Sequence, residues 1–223
     1  MTMDTHNYVF IGEAGSGKTE ISANIALHLA QKKKAHVCLI DMDQTKCLFR
    51  ARDFSSILEA GEVHMAKNPE LWDTPLMPEG VTAMLRDDNI CCVFDAGGNA
   101  VGAAMLGQYA PLLAEKPTRY FYVINPCRAF SDGMAEIAES MGAIVGAARI
   151  PMKNLEIIVN PYMGTFTTAE LIMEYYEKLK SELAKGELHI AGLAVSKKFA
   201  GVVKKQVELP ILELDTYVDK LYV

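Results

Sequence analysis

The stretch YVFIGEAGSGKT, residues 8–19, decides the fold. Its last eight residues, Gly12-Glu13-Ala14-Gly15-Ser16-Gly17-Lys18-Thr19, fit the pattern G-x-x-x-x-G-K-[ST] in full. An apolar run precedes the pattern and an amphipathic run follows it, which predicts a strand, a tight loop and a helix. Glycines let such a loop curl so that its N–H groups face phosphate oxygens, and the helix N-terminus adds positive charge. We therefore predict a nucleotide site in which Lys18 reaches the β- and γ-phosphates and the Thr19 hydroxyl binds Mg²⁺.

Beyond this loop, short apolar runs alternate with longer amphipathic ones, which is the pattern of a parallel sheet with right-handed crossovers. We predict a three-layer α/β/α fold with a mainly parallel central sheet, in a single domain over residues 1–223. The predicted strands are Tyr8–Ile11, His36–Ile40, Ile90–Phe94, Tyr120–Ile124, Glu156–Val159, Leu188–Leu193 and Pro210–Leu214. The predicted helices are Thr19–Gln31, Arg50–Ala60, Val101–Ala114, Asp132–Ala148 with Ser131 as its cap, and Thr168–Lys185, with a helical turn or two at Val81–Arg86. Residues 62–76 show no clear period.

The composition excludes several classes of protein. Half of the 223 residues are hydrophobic and 22% are charged, which excludes a mainly disordered chain. The net charge of −6 disfavours a dominant nucleic-acid surface. No apolar run approaches the roughly 18 residues that span a bilayer, and the polar N-terminus predicts no signal peptide. Five cysteines without a CxxC pair indicate a reduced, cytoplasmic protein.

Acidic residues follow two of the predicted strands, at the edge where parallel sheets bind ligands. Asp95 comes directly after an apolar strand and begins the turn Asp-Ala-Gly-Gly, which places the Gly98 N–H where it can meet a γ-phosphate. Asp41 and Asp43 end the strand before it, and one of them is predicted to orient the attacking water or to hold Mg²⁺ through water. Polar side chains at residues 125–128 and at Asn160 follow two further strands at the same edge.

These motifs carry a resemblance. The segments GEAGSGKTEISANIALHLA (12–30), CLIDMDQ (38–44), VFDAGG (93–98) and IIVNP (157–161) resemble the MinD/ParA group of P-loop ATPases, which includes the nitrogenase iron protein. The segments DMDQTKCLFRARD (41–53), DAGGNAVGAAMLGQY (95–109) and INPCRAFSD (124–132) resemble more closely a subfamily of bacterial ATP-binding proteins with no established activity.

The resemblance implies roles for single residues. It implies that residues 12–19 and Glu20 bind the nucleotide, and that Lys18 and Asp43 act in catalysis, with Asp43 positioning the water. It further implies that Thr19, Asp43 and Asp95 serve the Mg²⁺ ion and that Gly98 senses the γ-phosphate. The amide of Asn160 would read adenine, because an amide offers a donor and an acceptor together. The implied cofactors are ATP and Mg²⁺.

One position departs from the MinD/ParA pattern. Members of that group carry a signature lysine five residues before the loop lysine, and it reaches the partner's phosphates across a dimer interface. Here that position is Glu13, whose carboxylate a triphosphate would repel. We expect Glu13 either to face solvent or to pair with a basic residue of a partner. Arg50, Arg52 or Arg128 would supply the missing positive charge, unless these arginines are only solvated or salt-bridged.

The sequence leaves several functions open. The first is an ATP-dependent switch with slow Mg²⁺-dependent hydrolysis that acts on a protein partner, such as a metalloenzyme under maturation, and forms a nucleotide-dependent homodimer. The others are a non-hydrolysing nucleotide-binding module and a small-molecule kinase; the acidic balance disfavours a DNA-partitioning ATPase, and we expect neither DNA nor membrane as a partner. Cys47 and Cys127 are either a thiol pair for a soft metal or two unrelated small residues.

Overall fold

The computed structural model describes residues 7–32, 36–42, 53, 55–66, 79–129 and 133–217. Eight strands in this part of the chain form one sheet in the order β3-β2-β4-β1-β5-β6-β7-β8, and all neighbouring strands are parallel. The strands are β1 (Asn7–Ile11), β2 (His36–Asp41), β3 (Val63–Met65), β4 (Ile90–Asp95), β5 (Thr118–Ile124), β6 (Leu155–Val159), β7 (Ile190–Ser196) and β8 (Ile211–Leu214).

Helices cover both faces of this sheet. They are α1 (Lys18–Gln31), α2 (Ser55–Ala60), α3 (Val81–Arg86), α4 (Ala100–Gly107), α5 (Ala110–Glu115), α6 (Met134–Ala147), α7 (Ala169–Lys185) and α8 (Lys197–Val203). One buried cluster packs α1 and α2 against the sheet, and the other packs the remaining six helices against the opposite face. The predicted three-layer α/β/α architecture with a parallel sheet is therefore confirmed.

Strand β1 lies in the middle of the sheet and positions the phosphate loop. Its side chains at Val9, Phe10 and Ile11 are fully buried, which explains its uninterrupted apolar sequence. The ring of Phe10 stacks on that of Phe121 in β5, with 5.1 Å between the ring centroids. The loop that follows β1 is thus fixed at the centre of the carboxyl edge of the sheet.

The predicted helix Val101–Ala114 is wrong in one respect, because the chain forms two helices there. Helix α4 ends at Gly107, and α5 begins at Ala110 after a break at Gln108 and Tyr109. Pro111 is the cause, since proline has no N–H to continue the hydrogen-bond ladder and its ring crowds the preceding turn. The same proline is well tolerated in the first turn of α5.

The other differences concern element ends and short elements. Strand β7 begins at Ile190 rather than Leu188, because the Leu188 N–H still donates to the Leu183 carbonyl at the end of α7. The sequence analysis missed the three-residue strand β3 and the short helix α8, which are too brief to show a period. Helix α6 begins at Met134 with Gly133 at its N-cap, and Ser131, Arg50 and Arg52 lie outside the described residues. The described helices include none long and apolar enough to cross a bilayer.

Candidate functional site

The phosphate loop joins β1 to α1, as predicted. Its glycines Gly12, Gly15 and Gly17 have φ angles of 142°, 74° and 94°, which turn the backbone into a tight curl. Gly12 leaves no room for a side chain, since a Cβ there would lie 2.3 Å from the carbonyl oxygen of Val123 in β5. The loop is therefore pressed against β5 at the point where it leaves the sheet.

Lys18 begins α1, yet its side chain returns to the loop. Its ammonium group donates to the Glu13 carbonyl oxygen at 2.9 Å, and the residue is only 5% exposed. Thr19 lies half-buried in the first turn of α1 beside it. A cation, a hydroxyl and the N-terminus of a 14-residue helix thus meet the curled backbone, which is a cradle suited to phosphate groups.

Two asparagines at neighbouring strand ends donate hydrogen bonds to carbonyl oxygens of the loop. Asn160, after β6, is 5% exposed and donates from Nδ2 to the Ser16 carbonyl at 2.9 Å. Asn125, after β5, donates from Nδ2 to the Tyr162 carbonyl at 2.9 Å and to the Gly15 carbonyl at 3.4 Å. Each strand ends in an apolar residue followed by Asn-Pro. This shared pattern could have predicted that both asparagines contact the loop, but the sequence analysis assigned a role to Asn160 alone.

The acidic side of the site lies at the ends of β2 and β4. Asp95 is fully buried, and its Cα is in register with that of Asp41. Beyond Asp95 the chain runs against the phosphate loop, since a Cβ on Gly98 would lie 2.7 Å from the Cα and N atoms of Ala14. Asp43 lies outside the described residues. Carboxylate and hydroxyl oxygens are the donors that Mg²⁺ prefers, so Asp95 and Thr19 fit the ion that the resemblance implies.

Glu13 is half-buried and bonds within its own chain, so the expectation that its side chain simply faces solvent is wrong. Its Oε1 accepts a hydrogen bond from the Ser140 hydroxyl in α6. Ser140 Oγ also lies 3.0 Å from the Tyr122 hydroxyl oxygen in β5. Because Ser140 spends its only proton on Glu13, Tyr122 donates to Ser140. Burial raises the pKa of Tyr122 to about 12, with a smaller contribution from the nearby Glu13 charge, so the phenol keeps that proton. One oxygen of the Glu13 carboxylate thus has its partner inside its own chain.

Glu20 turns away from the loop. Its side chain accepts a hydrogen bond from the backbone N–H of Tyr217, in the segment that follows β8. One turn later, Asn24 fixes the same segment, donating to the Asp215 carbonyl at 3.0 Å and accepting from the Asp215 N–H at 2.8 Å. A contact of Glu20 with the nucleotide would therefore have to come from its backbone N–H.

The cysteines give no support to a soft-metal site. Cys47 lies outside the described residues, and burial raises the pKa of Cys127 to about 11, which keeps its thiol protonated near neutral pH. Cys38, Cys91 and Cys92 are buried core residues, and burial raises the pKa of each to about 11 or 12. The described residues contain no group of three or more His, Cys, Asp or Glu that would hold a metal ion.

Several solved structures are similar to this chain at low sequence identity. They include the MinD cell division protein of Aquifex aeolicus, with 17% identity, a TM-score of 0.48 and coverage of 90% of this chain and 86% of that one. FlhF complexed with GTP/Mg(2+) follows with 10% identity, a TM-score of 0.45, and coverage of 95% and 65%. FtsY from Mycoplasma mycoides has 16% identity, a TM-score of 0.42, and coverage of 93% and 59%. The chain thus spans about three fifths of the FtsY and FlhF chains that it matches.

No curated protein matches the chain. A family match covers nearly all of it: residues 8–213, from the first strand to the last, match the CobQ/CobB/MinD/ParA nucleotide binding domain. The match includes the phosphate loop, Asp95 at the end of β4, and both Asn125 and Asn160. The chain therefore belongs to the CobQ/CobB/MinD/ParA family of nucleotide-binding domains.

Proposed function

We propose that the protein binds ATP with Mg²⁺ at residues 12–19 and hydrolyses it slowly, as a switch that acts on a protein partner. The observation that carries this proposal is the contact between the Asp95–Gly98 turn and the phosphate loop at Ala14. This contact brings the Gly98 backbone to Ala14, next to Glu13, whose carbonyl oxygen accepts a hydrogen bond from the Lys18 ammonium at 2.9 Å. A γ-phosphate bound there would touch both segments, so its loss would change how the turn packs on the loop.

The residues would divide the work of hydrolysis. Lys18 and the loop N–H groups would bind the β- and γ-phosphates and stabilise the charge that develops there. Thr19 and Asp95 would hold Mg²⁺, which supplies further positive charge to the phosphate oxygens. Asp43 would orient the attacking water, and Asp41, at the end of β2, is the next candidate for that role.

Phosphate release measured with and without Mg²⁺ tests this proposal. We expect slow release that depends on Mg²⁺, and we expect Asp43→Asn to slow it while ATP still binds, because an amide keeps the shape but loses the charge. Asp88→Asn is the matched control, since Asp88 pairs with Lys116 at the opposite, amino edge of the sheet. Hydrolysis by Asp43→Asn at the wild-type rate would show that Asp43 does not orient the water. The same substitution would then be tested at Asp41.

The base is proposed to be adenine, because the guanine signature Asn-Lys-x-Asp is absent and Asn160 is followed by Pro161. The bond from Asn160 to Ser16 uses one N–H of the amide, and an amide carries a second N–H and an acceptor oxygen. We expect competition titrations to favour ATP over GTP. A tenfold preference for GTP, about 1.4 kcal/mol, would contradict the assignment.

A second candidate function is a nucleotide-binding module that does not turn ATP over. The observation in its favour is Glu13, which stands where the signature lysine of MinD/ParA proteins would be and bonds to Ser140 of its own chain. A nucleotide-dependent homodimer, which the resemblance implies, would then form without a lysine crossing its interface. Tight ATP binding without phosphate release in the Mg²⁺ experiment would favour this candidate over the switch ATPase.

A further inference from the structure

Glu13 places a negative charge at the position where MinD/ParA proteins carry a lysine. A bound triphosphate brings several negative charges to the loop, and the signature position adds one more instead of a cation. A cavity beside the loop is lined by Glu13, Ala14, Ser16, Tyr122, Val123, Ile124, Asn125, Arg128 and Ile137. The only cation among these lining residues is Arg128.

Arg128 lies directly against the phosphate loop. A Cβ placed on Gly15 would lie 3.5 Å from its Nε, 3.8 Å from its Cζ and 4.0 Å from its Nη2. Three atoms of the guanidinium group therefore lie within 4.0 Å of the point that a side chain on Gly15 would occupy. Arg128 is exposed, and within the described ranges no carboxylate forms an ion pair with it. Its charge is thus available to a ligand on the loop.

The turn that carries Arg128 is itself fixed to the loop. The Arg128 N–H donates to the Asn125 carbonyl at 3.1 Å, and the Cys127 N–H donates to Asn125 Oδ1 at 3.0 Å. The other end of the Asn125 side chain reaches the Gly15 carbonyl. One asparagine therefore closes the turn and ties it to Gly15, so the backbone of Arg128 is held beside the loop.

The position along the loop indicates which phosphates Arg128 meets. The Lys18 ammonium, expected at the β- and γ-phosphates, lies at the Glu13 carbonyl, and Gly98 lies at Ala14. Gly15 is the next residue, so a cation there lies at the β/γ end of the nucleotide. A guanidinium suits this place, because its planar fork of N–H donors matches phosphate oxygens in pairs.

We propose that Arg128 contacts the γ-phosphate of the nucleotide bound by the same chain and supplies the positive charge that the Glu13 position lacks. This inference rests on the proposed nucleotide site and goes beyond it. It means that the chain itself provides the positive charge at the γ-phosphate, so that no second copy of the chain is needed for it. Arg128 would then help the protein to distinguish a triphosphate from a diphosphate.

Calorimetric titration of ADP and of a non-hydrolysable ATP analogue, both with Mg²⁺, tests the proposal. We expect Arg128→Ala to weaken binding of the analogue about tenfold, or about 1.4 kcal/mol, and binding of ADP less than about twofold. Arg128→Lys should recover part of the loss, because lysine restores the charge but not the fork. Arg86→Ala is the matched control, since Arg86 is an exposed arginine at the end of α3, at the opposite edge of the sheet.

The outcomes separate the two proposals. A variant that binds both nucleotides as the wild type does would overturn the arginine assignment, and so would an equal loss for both, which would mean that Arg128 only supports the loop. A wild-type protein that binds neither nucleotide would overturn the proposed function and this inference together. Thermal unfolding of Arg128→Ala should match that of the wild type, because the side chain is exposed.

Discussion

Replacing Lys18 by alanine is expected to weaken ATP binding by a factor of about 100 or more while the fold stays intact. The Lys18 ammonium is nearly buried and already aimed at the loop, where it donates to the Glu13 carbonyl at 2.9 Å. A hydrogen bond to a charged group contributes about 1.5–3 kcal/mol, and contacts with two phosphates together reach the roughly 2.7 kcal/mol that a hundredfold loss requires. Calorimetric titration with ATP and Mg²⁺ measures the change directly.

The control for this variant is Lys153→Ala. Lys153 is exposed and precedes β6, so it lies at the amino edge of the sheet, away from the loop. We expect that variant to bind ATP as the wild type does, and both variants to unfold close to the wild-type temperature. ATP binding by Lys18→Ala at wild-type affinity would show that residues 12–19 are not the nucleotide site.

The largest loss of stability is expected from Gly12→Ala. Its φ of 142° is a conformation that side chains rarely adopt, and the added Cβ would lie 2.3 Å from the Val123 carbonyl oxygen. Backbone strain costs about 1–3 kcal/mol and overpacking a similar amount, so we expect the free energy of unfolding to fall by about 3 kcal/mol or more. For a chain of this size, that lowers the unfolding midpoint by roughly 6–12 °C, which calorimetry resolves.

Gly142→Ala is the matched control for a glycine-to-alanine change. Gly142 lies exposed within α6, and a Cβ there meets nothing within 4 Å. Alanine is favoured over glycine inside a helix, so we expect a gain of about 0.5–1 kcal/mol. If Gly12→Ala were as stable as the wild type, the close packing of the loop against β5 would be wrong.

The sequence predicted the fold well where the hydrophobic pattern was strong. Central strands such as β4 are apolar on both faces, and the long helix α7 has a clear period, so both were found to within a residue or two. The hydrophobic pattern did not predict the break between α4 and α5, because a single residue, Pro111, causes it. It also failed at β3, a three-residue edge strand whose partner comes more than twenty residues earlier.

The site was predictable to the level of its loops but not of its side-chain contacts. The backbone of residues 12–19 could be predicted, because its conformation depends on glycines and a lysine that are close together in the sequence. Glu13 instead finds its partner 127 residues later, in Ser140, and no pattern in the sequence links the two. The expectation that Glu13 faces solvent failed for that reason, since a strand end indicates where a residue lies but not the direction of its side chain.

The place of β1 in the sheet has a consequence for folding. β1 comes first among the described strands, yet it pairs with β4 and β5, and Asn7 hydrogen-bonds to Thr118, 111 residues away. Closing such long loops costs chain entropy before any contact repays it, so folding is expected to be slow for a domain of this size. During synthesis, the first strand must wait until β5 has emerged before its ladder is complete. A nucleotide bound at the proposed site would then stabilise only the assembled sheet, because the asparagine that supports Gly15 follows β5.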